Sequence, residues 1–269
     1  MKITKVLTDI DSSCAFVPTM GALHAGHQSL IAKARELSRE VVVSVFVNPL
    51  QFEDKSDLAK YPKTPEQDAK LAAAAGATVL WTPDYELIYP NAITKLSAGE
   101  LGDKFEGVHR PGHFDGVLTV VNRLFELVKP RYAIFGEKDF QQLFLVSKMA
   151  AQLHPEIEII SAPTIRETTG LAMSSRNIRL TTQGKVAAQI INRVLSNAAN
   201  SENLAAAKAE LAKISTESAF TLDYAEIIDE TTFELATNET TRPRAIIAGW
   251  IDGVRLIDNM ALKTALVRA

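Results

Sequence analysis

The chain is poor in the features that would announce a specialised class. One cysteine, Cys14, in 269 residues excludes an intrachain disulfide. It lies in the first expected strand and reads as a buried, inert thiol. Neither sign of charge is in excess: 29 Lys and Arg stand against 32 Asp and Glu, a formal net charge of −3. Such a balance speaks against a nucleic-acid partner, while leaving room for a local basic pocket around one anionic ligand. No apolar run approaches a membrane span, and Met1-Lys2-Ile3-Thr4 opens on folded-looking sequence rather than a leader. A cytoplasmic setting with no membrane partner is expected. Repeats and low-complexity segments are absent. What remains is the profile of an ordinary globular protein, 46% hydrophobic and 23% charged. It is long enough for one large domain or two modest ones.

The first part of the chain alternates strand-like and helix-like segments. Ala15 to Val17, Val41 to Asn48, Thr78 to Trp81, Tyr132 to Phe135 and Ile157 to Ile160 read as strands. Gln28 to Leu37, Glu66 to Ala75 (stopped by Gly76), Val117 to Val128 and Phe140 to Leu153 read as helices. This alternation predicts an α/β fold with a doubly wound, Rossmann-like parallel sheet, whose ligands sit at the carboxyl ends of the strands. Further on, helices at Gln183 to Ala199 and Leu204 to Ile214 precede strands at Tyr224 to Ile228, Ala245 to Ile251 and Val254 to Ile257. That order predicts a smaller α+β C-terminal domain. Residues 1–170 are assigned to the first domain and 171–269 to the second, with the switch between Pro163 and Arg179. The irregular stretches Pro49 to Pro65 and Pro83 to Phe114 are long enough to act as substrate lids.

Five constellations carry chemistry. The first is Met20-Gly21-Ala22-Leu23-His24-Ala25-Gly26-His27, between a strand and a helix. Its His-x-Gly-His spacing is neither the Walker nor the dinucleotide pattern. A small-residue turn into a helix offers backbone N–H groups and a positive helix end to phosphate, and the imidazoles add donors. The second is Gly136-Glu137-Lys138-Asp139 with Gln142, at another strand–helix junction. There Lys138 suits phosphate charge, Asp139 a ribose hydroxyl or Lys138 itself, and Gln142, one turn on, a neighbouring polar substrate. In the third, Met173-Ser174-Ser175-Arg176-Asn177, two hydroxyls and a guanidinium suit a phosphate clamp, although the same residues make ordinary loops. The fourth, Asn48-Pro49-Leu50-Gln51-Phe52, offers the Gln51 amide to a carboxylate or hydroxyl, and an ordinary turn fits its spacing equally well. In the last, His109 and His113 flank Pro111-Gly112, a break that argues against a regular helix presenting both to zinc. Arg110 suits an anionic substrate or a subunit contact.

Together, and in this order, these segments resemble the pantoate–β-alanine ligase family of the HxGH nucleotidyltransferases. Tyr61-Pro62-Lys63-Thr64, Arg110-Pro111-Gly112-His113-Phe114 and Gly170-Leu171-Ala172 add to the match. The resemblance implies an ATP-dependent carbon–nitrogen ligase. Pantoate and Mg²⁺-ATP give a pantoyl adenylate and pyrophosphate, and β-alanine then gives pantothenate and AMP. It implies ATP contacts from Met20 to His27, from Gly136 to Asp139, and at Ile165, Met173, Ser174, Ser175 and Arg176. Gln51 is implied for pantoate and β-alanine, and Gln142 for pantoate. His24, His27 and Lys138 are the implied catalytic groups, with His27 as proton donor. No dedicated metal site is implied, Mg²⁺ being carried by the ATP phosphates, and the assembly is a homodimer. Thr169 stands where the family has aspartate, which is expected to loosen the clamp segment. Transfer of AMP to a phosphate acceptor is the nearest rival, and an RNA-binding or inactive synthetase-like module the more distant one. Neutral Gln51 and Gln142 speak against a phosphate acceptor.

Overall fold

The computed structural model describes residues 1–6, 11, 13–52, 58–59, 61–90 and 93–263. The chain divides into two compact units, Met1–Glu137 with Gln141–Pro163, and Lys138–Phe140 with Thr164–Ala269.

The first unit is built on six parallel strands: β1 (Lys2–Thr4), β2 (Ala15–Thr19), β3 (Val41–Val45), β4 (Val79–Trp81), β5 (Tyr132–Gly136) and β6 (Glu158–Ala162). Their order in the sheet is β1-β4-β3-β2-β5-β6. Helices α1 (Ala25–Leu37), α2 (Pro65–Ala75), α3 (His113–Val128) and α4 (Phe140–Leu153) accompany them. Side chains alternate across a strand, so the sheet has two apolar faces. One carries Val17, Val43, Leu80 and Ile134, packed with Ile31 and Ala34 of α1 and Ala72 of α2. On the other, Phe135 meets Phe125 of α3 edge to face, with ring centroids 6.4 Å apart. Phe125 is fully buried, and its burial contributes about 1.5–3 kcal/mol.

Several boundaries differ from the expected ones, each for a local reason. Strand β3 stops at Val45 rather than Asn48, because the Asn48 side chain accepts from Leu50 N at 3.2 Å and caps a 3-10 turn over Pro49–Gln51. Helix α1 starts three residues early, at Ala25, because His24 caps it. Strand β1 was not foreseen. The stretch from Pro83 to Phe114 contains short helices at Tyr85–Ile88, Gly99–Gly102 and Glu106–His109 as well as the start of α3. Residues 53–57 and 60 of the first irregular stretch, and 91–92 of the second, lie outside the described residues.

The second unit packs α6 (Gln189–Ala199) and α7 (Leu204–Ala212) against an antiparallel sheet of β7 (Thr221–Asp229), β8 (Pro243–Ile251) and β9 (Val254–Ala261), with β8 central. Its core joins Ile191, Val194 and Leu195 of α6 to Leu211, Ile227, Ile247 and Ile251. Asp252 and Gly253, both at positive φ, form the two-residue hairpin between β8 and β9. The single helix expected from Gln183 is two, because α5 (Thr182–Ala187) tightens into a 3-10 turn at Ala188 before α6 begins. Amphipathic spacing runs unbroken through that turn, which hides it from periodicity.

Candidate active site

Strand order reverses at β2: the chain steps from β2 to β3 and β4 on one side, then to β5 and β6 on the other. In open parallel sheets ligands lie beyond the carboxyl ends of the strands at such a reversal. Those ends carry Met20 to His27 after β2, and Gly136 and Glu137 at and after the end of β5. Two motifs 116 positions apart, counted from Met20 to Gly136, thus share one edge of the sheet.

Four backbone N–H groups of the loop after β2 are held within the protein. Ala22 N donates to Asp68 Oδ2 at 3.1 Å, and Leu23 N to Asp68 Oδ1 at 2.8 Å. Gly26 N donates to His24 Nδ1 at 3.1 Å, and His24 N to His27 Nδ1 at 3.3 Å. These four donors are already bonded within the protein. The last two bonds form a reciprocal capping box, with histidine in both of its side-chain positions. A ring that accepts at Nδ1 is neutral and carries its proton on Nε2. Both imidazoles, 4.1 Å apart between centroids, are thus set as Nε2–H donors at the positive end of α1.

The turn after β3 is held as firmly. Asn48 is buried; its Nδ2 donates to Gln51 Oε1 at 3.1 Å and to Gly116 O at 3.0 Å. The Tyr89 hydroxyl donates to Asn48 Oδ1 at 2.6 Å, and burial pushes that phenol well above its ordinary pKa, so it stays a donor. With Oε1 accepting from Asn48, the Gln51 amide keeps its NH2 group as a donor. Arg110 donates to His113 Nε2 at 2.9 Å, so His113 Nδ1–H donates to Gln51 O, also at 2.9 Å. Both ring nitrogens of His113 are committed to holding this turn. Gln142 is half-buried on α4, whereas its neighbour Gln141 is buried and ties the backbone at Leu101, Lys104 and Glu106.

In the second unit, Lys138, Ser174, Arg176, Asn177, Arg255 and Asp258 line one small cleft. Lys138 lies in a 3-10 turn over Glu137–Asp139, its Nζ 3.7 Å from Asp139 Oδ2. Asn259 Nδ2 donates to Lys138 O at 2.9 Å, and Arg244 bonds Asn259 Oδ1 at 2.5 Å and Glu230 Oε1 at 2.7 Å. The segment from Ile165 to Met173 folds back on itself, Met173 N donating to Ile165 O at 2.9 Å. A two-pronged pair from Arg166 to Asp258 holds it, at 2.5 and 3.0 Å. Ser174 Oγ accepts from Arg176 N at 3.2 Å, starting a 3-10 turn over Ser175–Arg179. Thr169 is exposed at the tip of the hairpin. Asp68, Arg166, Asn259 and the positioning roles of Asn48 and His113 were not singled out from spacing, since the partners concerned are far away in sequence. Only the quoted Tyr61-Pro62-Lys63-Thr64 segment pointed near Asp68.

Comparison with known proteins gives one answer. The family model described as pantoate-beta-alanine ligase matches residues 2–261. The pantothenate synthetase of Acidothermus cellulolyticus is 45% identical over 260 residues, 93% of this chain and 86% of its own length. That of Rhizorhabdus wittichii is 43% identical over 257 residues, 93% of this chain and 91% of its own. The crystal structure of pantothenate synthetase from Thermus thermophilus superposes with a TM-score of 0.90 at 37% identity, covering 97% of this chain and 99% of that one. Pantoate-beta-alanine ligase from Francisella tularensis, solved with β,γ-ATP and β-alanine, gives 0.79 at 35% identity and 97% coverage of both chains. The chain belongs to the pantoate–β-alanine ligase family.

Proposed function

We propose that this chain condenses pantoate with β-alanine at the expense of ATP, in two steps through a pantoyl adenylate. A pantoate carboxylate oxygen attacks the α-phosphorus, and the bond to pyrophosphate breaks. The β-alanine amine then attacks the acyl carbon; the C–O bond to AMP breaks and the amine proton is lost. The observation that carries the reading is the pair of imidazoles at the reversal of the sheet, each accepting a backbone N–H at Nδ1, beside a turn in which Asn48 holds the Gln51 amide. The Francisella relative, solved with β,γ-ATP and β-alanine, supports the same two ligands here.

In this reading Met20 to His27, Gly136, Glu137, Lys138, Asp139, Ile165, Met173, Ser174, Ser175 and Arg176 contact ATP. Gln51 meets pantoate and β-alanine, and Gln142 meets pantoate. Since the N–H groups of Ala22, Leu23, His24 and Gly26 are already bonded internally, the loop acts on ATP by shape and through its imidazoles. His24 and His27 donate hydrogen bonds to phosphate oxygens without giving up a proton, while Lys138 and Arg176 balance charge. Mg²⁺ would be carried by the ATP phosphates and would neutralise part of their charge; Lys138, Arg176 and the imidazoles are donors that suit phosphate oxygens rather than the ion. In this reading the first compact unit, within residues 1–170, binds nucleotide and pantoate, and the second, whose main stretch begins at Thr164 rather than at 171, is the smaller C-terminal domain. The assembly is a homodimer in the cytoplasm, which light scattering and cell fractionation test. Among the described residues no helix is long and apolar enough to cross a membrane.

The functional test is pantoate-dependent pyrophosphate release with β-alanine omitted, followed by AMP and pantothenate when it is added. Absence of release with ATP, Mg²⁺ and pantoate overturns the reading.

A further inference from the structure

We propose that Asp68 is a positioning residue for adenylate formation: its carboxylate is the built-in anion that shapes the histidine loop, and it keeps substrate phosphate off the loop backbone. The inference rests on the adenylate-forming reading given above.

Gly21 and Ala22 both adopt positive φ, 83° and 50°. Successive N–H groups in such a turn converge on one point and make an anion-binding concavity. In a phosphate-handling loop the expected occupant is the substrate. Here it is Asp68 of α2, whose two oxygens take one N–H each from Ala22 and Leu23, at 3.1 and 2.8 Å. The residue is 2% exposed. A third bond comes from Thr64 Oγ1 at 3.0 Å. Thr64 occupies the N-cap of α2, yet its side chain makes no cap bond; the hydroxyl serves Asp68 and the helix start goes without it. Gly21 closes the fit, since a Cβ there would stand 3.0 Å from both Asp68 Oδ2 and Val45 Cγ1, on a backbone that disfavours side chains. A phosphate entering this concavity would meet a buried carboxylate of its own sign. Phosphate is thereby left to the imidazoles, which follow directly on the clamped residues.

Asp68→Asn separates positioning from bulk stability. The amide has one acceptor oxygen, and its NH2 group faces a backbone donor, so one loop bond becomes a donor–donor contact. We expect a folded protein whose pantoate-dependent pyrophosphate release in a single turnover falls on the order of 10²-fold. Aminolysis of supplied pantoyl adenylate by β-alanine, which has no departing pyrophosphate, falls far less. Thr64→Val, which removes one donor from the same carboxylate, repeats the split at smaller size and carries the test if Asp68→Asn does not fold. Wild-type release by Asp68→Asn, or an equal loss in both half-reactions for either variant, overturns the proposal. A wild-type chain that releases no pyrophosphate with pantoate overturns the functional reading itself.

Discussion

Replacing His27 by glutamine and by alanine tests whether the imidazole acts as a neutral donor. His27 does two things: Nδ1 accepts from His24 N at 3.3 Å, and the proton this places on Nε2 is offered to phosphate. Alanine removes both. Loss of the backbone bond costs about 1 kcal/mol of stability, and loss of one transition-state donor costs roughly 10²–10³ in rate, or about 2.7–4 kcal/mol of barrier. Glutamine at the third position of a helix is a natural capping-box partner: its oxygen accepts from the N-cap N–H and its NH2 group replaces Nε2–H. His27→Gln is therefore expected within about tenfold of wild type, a barrier change of about 1.4 kcal/mol. Pyrophosphate release with β-alanine omitted, followed from pH 6 to 8.5 alongside thermal melts, reads both effects. A glutamine variant as slow as the alanine variant would refute the reasoning. So would a wild-type rate that falls as pH rises through the ordinary imidazole range, since that pattern requires an imidazolium.

Other perturbations probe the supports. In Gly116→Ala the new Cβ would lie 2.2 Å from Leu50 O, so the Pro49–Gln51 turn must shift; a loss of about 1–3 kcal/mol and a KM raised for pantoate more than for ATP are expected from melts and steady-state kinetics. Asn259→Ala leaves Lys138 O and the buried Arg244 guanidinium short of a partner, so a cost of about 1–3 kcal/mol and slower pyrophosphate release are expected, and an unchanged rate would uncouple this network from Lys138. Burial pushes the Cys14 thiol up to about 12, so it stays protonated and resists alkylation at pH 8 in the native protein. Because that folded pKa lies above the unfolded one, the associated stability is complete below about pH 8.5 and is lost as pH climbs toward 12; Cys14→Ala should flatten this alkaline slope in pH-dependent melts.

The parts legible in the sequence were those set by local periodicity and punctuation. The run from Val41 announced a strand buried on both faces, Gly76 ended α2 with left-handed φ, and Phe140–Leu153 formed as its apolar spacing required. Alternation of such segments was enough to imply the doubly wound sheet. Three-residue β1 left no period to read, and its partner β4 lies far along the chain. Histidine is an uncommon helix cap, so the early start of α1 was hidden. At the site, chemistry-bearing side chains stood in recognisable strings, but the groups that aim them did not. Asp68 lies 46 residues from Ala22, and Asn259 lies 121 from Lys138. No spacing rule reaches across such distances. The same gap hides the two loop donors that Asp68 holds, whereas the two held by His24 and His27 are local and go unread because histidine is an uncommon cap.

The central claim is that a pantoate carboxylate oxygen becomes bonded to the α-phosphorus. Turnover of pantoate labelled with ¹⁸O in its carboxylate, with ATP, Mg²⁺ and β-alanine, tests it directly by mass spectrometry of the products. The account predicts one labelled oxygen in the phosphate of AMP and none in pyrophosphate. Unlabelled AMP, or label recovered in pyrophosphate or inorganic phosphate, would contradict it.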